Sequence, residues 1–300
     1  MSEAAEPGQP VSYPRAADLE LIPFGFGPTS SRGSFELTPG IARHDGALYG
    51  GTGAAASVMA MEAATQRDAV WVVTQFIAQA HVGEVIEVDV DPLALGGRIA
   101  QLQVTARVGD RTVFCALGAT AHPRPGGLTG QYLPMPRVSP PDDSGPMPFG
   151  PGSSEGREMA VSRRLEFRQA TFVDDPPPGS LVLWARLHGI DELTRAGIAY
   201  LADMVPAAVA RAAGKLGAGF SLDNSLRFAD VPPSDWVLLH LRGELASNGY
   251  GHGSFTAWTP DGTLVATGSQ TASMVHIFEA DELEEWRSAI AARATNRQQS

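Results

Sequence analysis

The chain has 300 residues, 43% of them hydrophobic, and a formal net charge of −11 at pH 7. That is enough apolar content for one large or two modest domains. The acidity argues against a nucleic-acid partner, since phosphate neutralisation requires clustered Lys and Arg, and here the basic residues are nearly all scattered arginines, with Lys215 the lone lysine.

The opening MSEAAEPGQP is acidic and proline-bearing, unlike a secretory leader, and no stretch approaches the ~18 uninterrupted apolar residues of a membrane span. A cytoplasmic location without membrane contact is therefore expected. The single Cys115 suits a reducing compartment and reads as a small packing residue in an apolar strand. The first thirty residues, with Pro7, Pro10, Pro14, Pro23 and Pro28, read as a strap or disordered lead. From Ser34 the text becomes structured. SFELTP is followed by a helix small or apolar on nearly every side from Gly50 to Ala64, then by AVWVVTQFIAQA, EVIEVDVDPLA and RIAQLQVTARVGDRTVFCALGATAH, read as strands with a turn at Gly109 and Asp110. Between about Pro123 and Gly156 the composition shifts to Pro, Gly, Ser and Asp, the signature of a surface linker.

After the linker the same order returns: strands SRRLEFRQA and LVLWARLH, one helix DELTRAGIAYLADMVPAAVARAA, and strands FSLDNSLRFAD, DWVLLHLRGELAS, GSFTAWTP and TLVATGSQTASMVHIF. A charged helix beginning near Asp281 closes the chain. Laying Thr112 on Thr263 puts Phe114 on Val265, Ala119 on Gln270 and Ala121 on Ala272; with slightly different spacing, the helices at Gly51 and Ala199 correspond too. This internal repeat indicates two copies of one α+β fold packed as a pseudo-dimer. The expected divisions are an N-terminal extension 1–33, a first unit 34–123, a linker 124–158, a second unit 159–280 and a C-terminal helix and tail 281–300.

LYGG at Leu48–Gly51, AYLADM with its aspartate, SLDNS, the DW pair Asp235 and Trp236, and DGTLVATGSQ, taken in that order, resemble the type II (TesB-like) acyl-CoA thioesterases. The resemblance runs from about Ser34 to Met274, interrupted by the linker. It implies a double hotdog: two tandem repeats, each a long helix wrapped by a curled antiparallel sheet. It also implies hydrolysis of acyl-CoA to a free acid and CoA, without cofactor or metal, by a water that an Asp, a Thr or Ser and a Gln hold. Carried over by position, these are Asp203, Ser221 and Gln270, with serine standing where threonine is expected. Tyr250, in GYGHG, stands where a basic residue is expected. Single hotdogs generally dimerise, and homo-oligomers of the fused chain are a further implication.

The residues also admit plainer readings. Asp203 could N-cap a fresh helical turn before Pro206, Gln270 could face solvent on its strand, and Ser221 is an ordinary strand start. An unpartnered carboxylate in an apolar helix is costly, which favours a role for Asp203. GSSEG has the spacing of a nucleophile elbow, but its Ser154 falls in the linker; GYGHG resembles a phosphate loop, yet a strand follows it, so a bulge or hairpin turn is expected. The seven histidines lack metal-ligand spacing. Two alternatives stand beside hydrolysis: a non-catalytic acyl-thioester binding protein, and a hotdog hydratase. The hydratase needs a His with an Asp on the helix, whereas His44 and Asp45 fall on a loop.

Overall fold

The computed structural model describes residues 12–27, 30–43, 45–147 and 164–278. Its framework is a 13-stranded antiparallel sheet with two long halves that meet at one seam. The first half contains α1 (Ala16–Leu21), β1 (Gly25–Phe26), β2 (Arg32–Glu36), α2 (Gly50–Thr65), β3 (Asp68–Phe76), β4 (Val85–Leu95), β5 (Ile99–Val108) and β6 (Arg111–Ala121). The second contains β7 (Gly145–Pro146), β8 (Leu165–Gln169), β9 (Ser180–Leu187), α3 (Arg195–Leu201), α4 (Val205–Ala212), β10 (Leu216–Phe228), β11 (Val237–Ser247), β12 (Tyr250–Trp258) and β13 (Leu264–Phe278). The strand order β1-β2-β4-β5-β6-β3-β10-β13-β12-β11-β9-β8-β7 reads nearly the same from either end about the β3–β10 seam, as a duplicated unit requires.

Register sharpens the repeat. Across the seam Val72 faces Leu226 and Thr74 faces Asn224, so Val72 is the counterpart of Asn224. Gly118 lies opposite Val72 on β6, and Gln270 lies opposite Asn224 on β13. The counterpart of Gln270 is therefore Gly118, and not Ala119 as the turn-based overlay has it. Both β3 and β10 carry an irregularity just before this point, between Ala69 and Trp71 and between Ser221 and Asp223, which makes Ala69 the counterpart of Ser221. The overlay slips because the turn before β13 is one residue longer: Val108 pairs with Arg111 across Gly109 and Asp110, whereas Thr259 N–H donates to Thr263 O across three residues, and the irregularities at Ala106/Arg107 and at Ala257/Trp258 fall at matching places.

Helix α2 is buried from Gly51 to Ala63, because the curled sheet surrounds it. Only small side chains let protein close in from every side, and its glycines and alanines supply that. Gly51 is the tightest point: a methyl group there would come within 2.3 Å of the Tyr200 carbonyl oxygen. The second helix departs from expectation. In place of one long helix, α3 ends at Leu201 and α4 starts at Val205. Pro206, in the first turn of α4, cannot donate to Ala202 and its ring would clash with that carbonyl in an unbroken helix, so the chain breaks just before it.

The N-terminal extension is also more than a lead. From Tyr13 on it is built into the core, with Leu21, Ile22 and Phe24 buried and Asp18 accepting a 2.5 Å hydrogen bond from Thr194, the N-cap of α3. The apolar residues of α1 and the following loop, surrounded by proline in the sequence, supply the buried area that anchors it. Of the expected linker, the described residues up to Met147 are mostly exposed, yet they too are anchored: Trp184 Nε1 donates to Ser139 O at 2.7 Å, and Gln131 bridges to Gly262 and Leu264. Met135 and Val138 thereby cover a cluster formed by Trp184, Trp236 and Trp258. GYGHG is entered through a tight hairpin turn, with Asn248 and Gly249 at φ of 52° and 83° joining β11 to β12, as a hairpin and not a phosphate loop demands. Ser154 and the helix expected from Asp281 lie outside the described residues. Among the described residues, no helix is long and apolar enough to cross a membrane.

Candidate active site

The helix break presents Asp203 inward from the turn between α3 and α4. Its carboxylate does not cap α4, the helix that follows it: Met204 is the N-cap there, and it makes no side-chain cap. Asp203 Oδ1 instead accepts hydrogen bonds from Ser221 Oγ, at 2.9 Å, and from Gln270 Nε2. Gln270 Nε2 also donates to Ser221 Oγ at 2.8 Å, so the three side chains that were singled out close a triangle. Ser221 comes from β10 and Gln270 from β13, neighbouring strands that place both beneath the helix break.

The orientation of the Gln270 amide follows from its partners. Val205 N–H donates to Gln270 Oε1 at 3.3 Å, which leaves the amide nitrogen for the carboxylate and the hydroxyl. That N–H is at the start of α4 and would be bonded to Leu201 in an uninterrupted helix; the break caused by Pro206 releases it. Gln270 is 1% exposed, which disposes of a solvent-facing role on the strand, and Asp203 is buried as well.

The first half of the chain completes the constellation. Asp203 Oδ2 accepts 2.9 Å from Gly51 N, in the first turn of α2. A methyl group on Gly50 would fall 2.6 Å from Asp203 Oδ2 and 2.9 Å from Ser221 Oγ, so glycine is required for this approach. LYGG carries the family resemblance in the sequence but does not mark this contact, because a backbone amide has no letter of its own. Arg43 carries no mark in the sequence either. Its guanidinium lies 4.4 Å from the centre of the Phe220 ring, next to Ser221, and its Nε donates to Asp45 at 3.1 Å.

Burial pushes the Asp203 carboxyl up to about 6, against the opposing pull of Ser221, Gln270, the Gly51 amide and the charge of Arg43. It thus stays ionised at neutral pH while binding protons more readily than an ordinary carboxylate. Among the described residues no group of His, Cys, Asp and Glu is arranged to hold a metal ion. A cleft of about 390 Å³ lies between α1 and the start of α3, bordered by Arg15, Thr194 and Val231, and shares no residue with this site.

Residues 38–122 match the family model of the acyl-CoA thioesterase N-terminal domain, and residues 137–274 match that of the C-terminal domain. The chain belongs to the acyl-CoA thioesterase family. This thioesterase is similar to a solved structure from Novosphingobium aromaticivorans described as a candidate thioesterase, with 28% identity and a TM-score of 0.75 over 83% of this chain and 98% of that one. It also resembles a conserved protein with a hotdog fold from Alicyclobacillus acidocaldarius, at 18% identity and a TM-score of 0.74, covering 87% and 98% of the two chains. A tesB protein from Mycobacterium avium subsp. paratuberculosis aligns at 21% identity and a TM-score of 0.70, over 86% and 98%. No curated protein matches the sequence significantly. The thioesterase has a hotdog fold, and its enzyme class is hydrolysis of acyl-CoA thioesters.

Proposed function

We propose that this thioesterase is a double hotdog whose one polar centre activates water through Asp203, Ser221 and Gln270. The observation that carries this reading is the convergence of two side-chain donors and the α2 amide on one buried carboxylate whose proton affinity is raised to about 6. A base with its pKa just below neutrality is ionised when it is needed and still takes a proton well. In the proposed reaction a water bound on Asp203 attacks the thioester carbonyl carbon while Asp203 accepts its proton. The C–S bond then breaks with its electron pair on sulfur, and the proton passes from Asp203 to the thiolate, leaving acid and CoA. Ser221 and Gln270 fix the carboxylate and the water's approach, and the positive end of the α2 dipole favours the negative charge that develops on the carbonyl oxygen.

The chemically equivalent place in the first half has Ala69 and Gly118 where the second has Ser221 and Gln270, and the space beside Gly118 is filled by the Met61 sulfur. These substitutions support one catalytic centre per chain. Thiol release from acyl-CoAs of several chain lengths tests the reading. Asp203→Asn is expected to lower kcat by ~10²–10⁴-fold, the usual contribution of a general base, and Gln270→Ala to lower it as well; unchanged hydrolysis in both variants rejects the site. We propose further that copies of the chain associate, a reading supported by Leu93, Leu95, Ile99 and Leu117 exposed on the sheet of the first half. Analytical ultracentrifugation showing only monomer at micromolar concentration would reject it.

A further inference from the structure

The hydroxyl of Tyr49 is buried and finds no hydrogen-bond partner among the described residues. Buried polar atoms are nearly always paired, because an unmade hydrogen bond forfeits the water it gave up. Tyr49 is the N-cap residue of α2, immediately before Gly50 and Gly51, the two residues against which Asp203 is set. Its ring is fixed from two sides. The edge of the Tyr200 ring meets it at 5.2 Å and 70°, and the bare α-carbon of Gly51 lets it close in, since a methyl group there would lie 2.4 Å from Tyr49 Cε1.

We propose that the Tyr49 hydroxyl donates a hydrogen bond to the carbonyl oxygen of the reacting thioester. The inference rests on the proposed role of Asp203 and adds a side-chain donor at the N-terminus of α2. A rigidly held donor with no partner among the described residues is what stabilisation of a developing oxyanion requires, because nothing has to be broken or reoriented when the charge appears. Burial, and then the negative charge of Asp203, hold the phenol well above its ordinary pKa, so it keeps its proton throughout. Tyr49 transfers nothing: water still loses its proton to Asp203, and the thiolate still regains it there.

Tyr49→Phe removes the oxygen and leaves the ring packing. Steady-state thiol release from a series from acetyl-CoA to palmitoyl-CoA is expected to show kcat reduced by at least ~10-fold, on the scale of a lost oxyanion donor. KM should be little changed, and the thermal midpoint equal to that of the wild type or higher, since an unpaired buried hydroxyl has been deleted. A kcat within twofold of wild type overturns the proposal. So does a lowered thermal midpoint with kcat intact, which would mark a hydroxyl satisfied by a structural water. Asp203→Asn measured alongside separates the two readings: if it is inactive while Tyr49→Phe is unimpaired, only the donor role falls, whereas an active Asp203→Asn removes the base itself.

Discussion

At the scale of single residues, the site is a compromise between burial and charge. Removing Asp203 from water raises its proton affinity, and four favourable neighbours return part of the loss. The acid limb of kcat/KM should accordingly fall with an apparent pKa near 6, and a profile flat to pH 4.5 would contradict the base. The same shift has a stability consequence. A carboxyl whose folded pKa exceeds its unfolded value binds more protons in the folded state, so its contribution declines as pH rises from about 4 to 6. Glu62 shows this more strongly. Buried on α2, and accepting from Ala69 N at 2.9 Å, it is pushed by burial up to about 8, with Asp18 raising it and Arg195 and Arg15 opposing. Glu62→Gln keeps that acceptor without the charge. The variant should gain thermal stability relative to wild type as pH rises from 4.5 to 8, and an unchanged difference across that window would show that the carboxyl is not protonated in the fold. Gly50 gives a steric prediction: Gly50→Ala drives a methyl group against Asp203 and Ser221 and should lower kcat by ~10²-fold, the cost of misplacing catalytic groups by about 1 Å.

At the scale of elements, the decisive feature is an interruption. Pro206 divides the largely apolar run from Arg195 to Ala212 into two helices, and the interruption turns Asp203 inward and frees the Val205 amide for Gln270. Pro206→Ala permits α3 and α4 to join and should raise helical circular dichroism while lowering kcat; activity at the wild-type level in a longer helix would show that the break is incidental. The sequence already displayed proline and aspartate three residues apart, and helix-breaking is a local property of proline. What it could not display was the partner of the freed amide, since Gln270 is 65 residues further on and reaches Val205 only through sheet pairing. Asp203, Ser221 and Gln270 were named by position, through the resemblance of AYLADM, SLDNS and DGTLVATGSQ to the family; on its own letters only Asp203 stands out, as a carboxylate in an apolar helix. The contribution of α2 was not, because it comes from main-chain atoms, and Arg43 was not, because one arginine among scattered arginines carries no pattern.

At the scale of the molecule, repetition was legible in the strand order, while its register depended on bulges that no single strand reveals. The packing of residues 13–24 was hidden for another reason: proline-rich text resembles a disordered lead until a core is present to receive its few large side chains. Because Gly51 belongs to one half and Asp203 to the other, each half supplies part of the same centre, joined along β3 and β10. The linker adds an optical consequence. Three of the five tryptophans, Trp184, Trp236 and Trp258, form one patch beneath Met135 and Val138. Wetting of this patch would move its share of the intrinsic emission to the red, so a partial red shift would report Met135 and Val138 lifting away while the rest of the sheet is still folded.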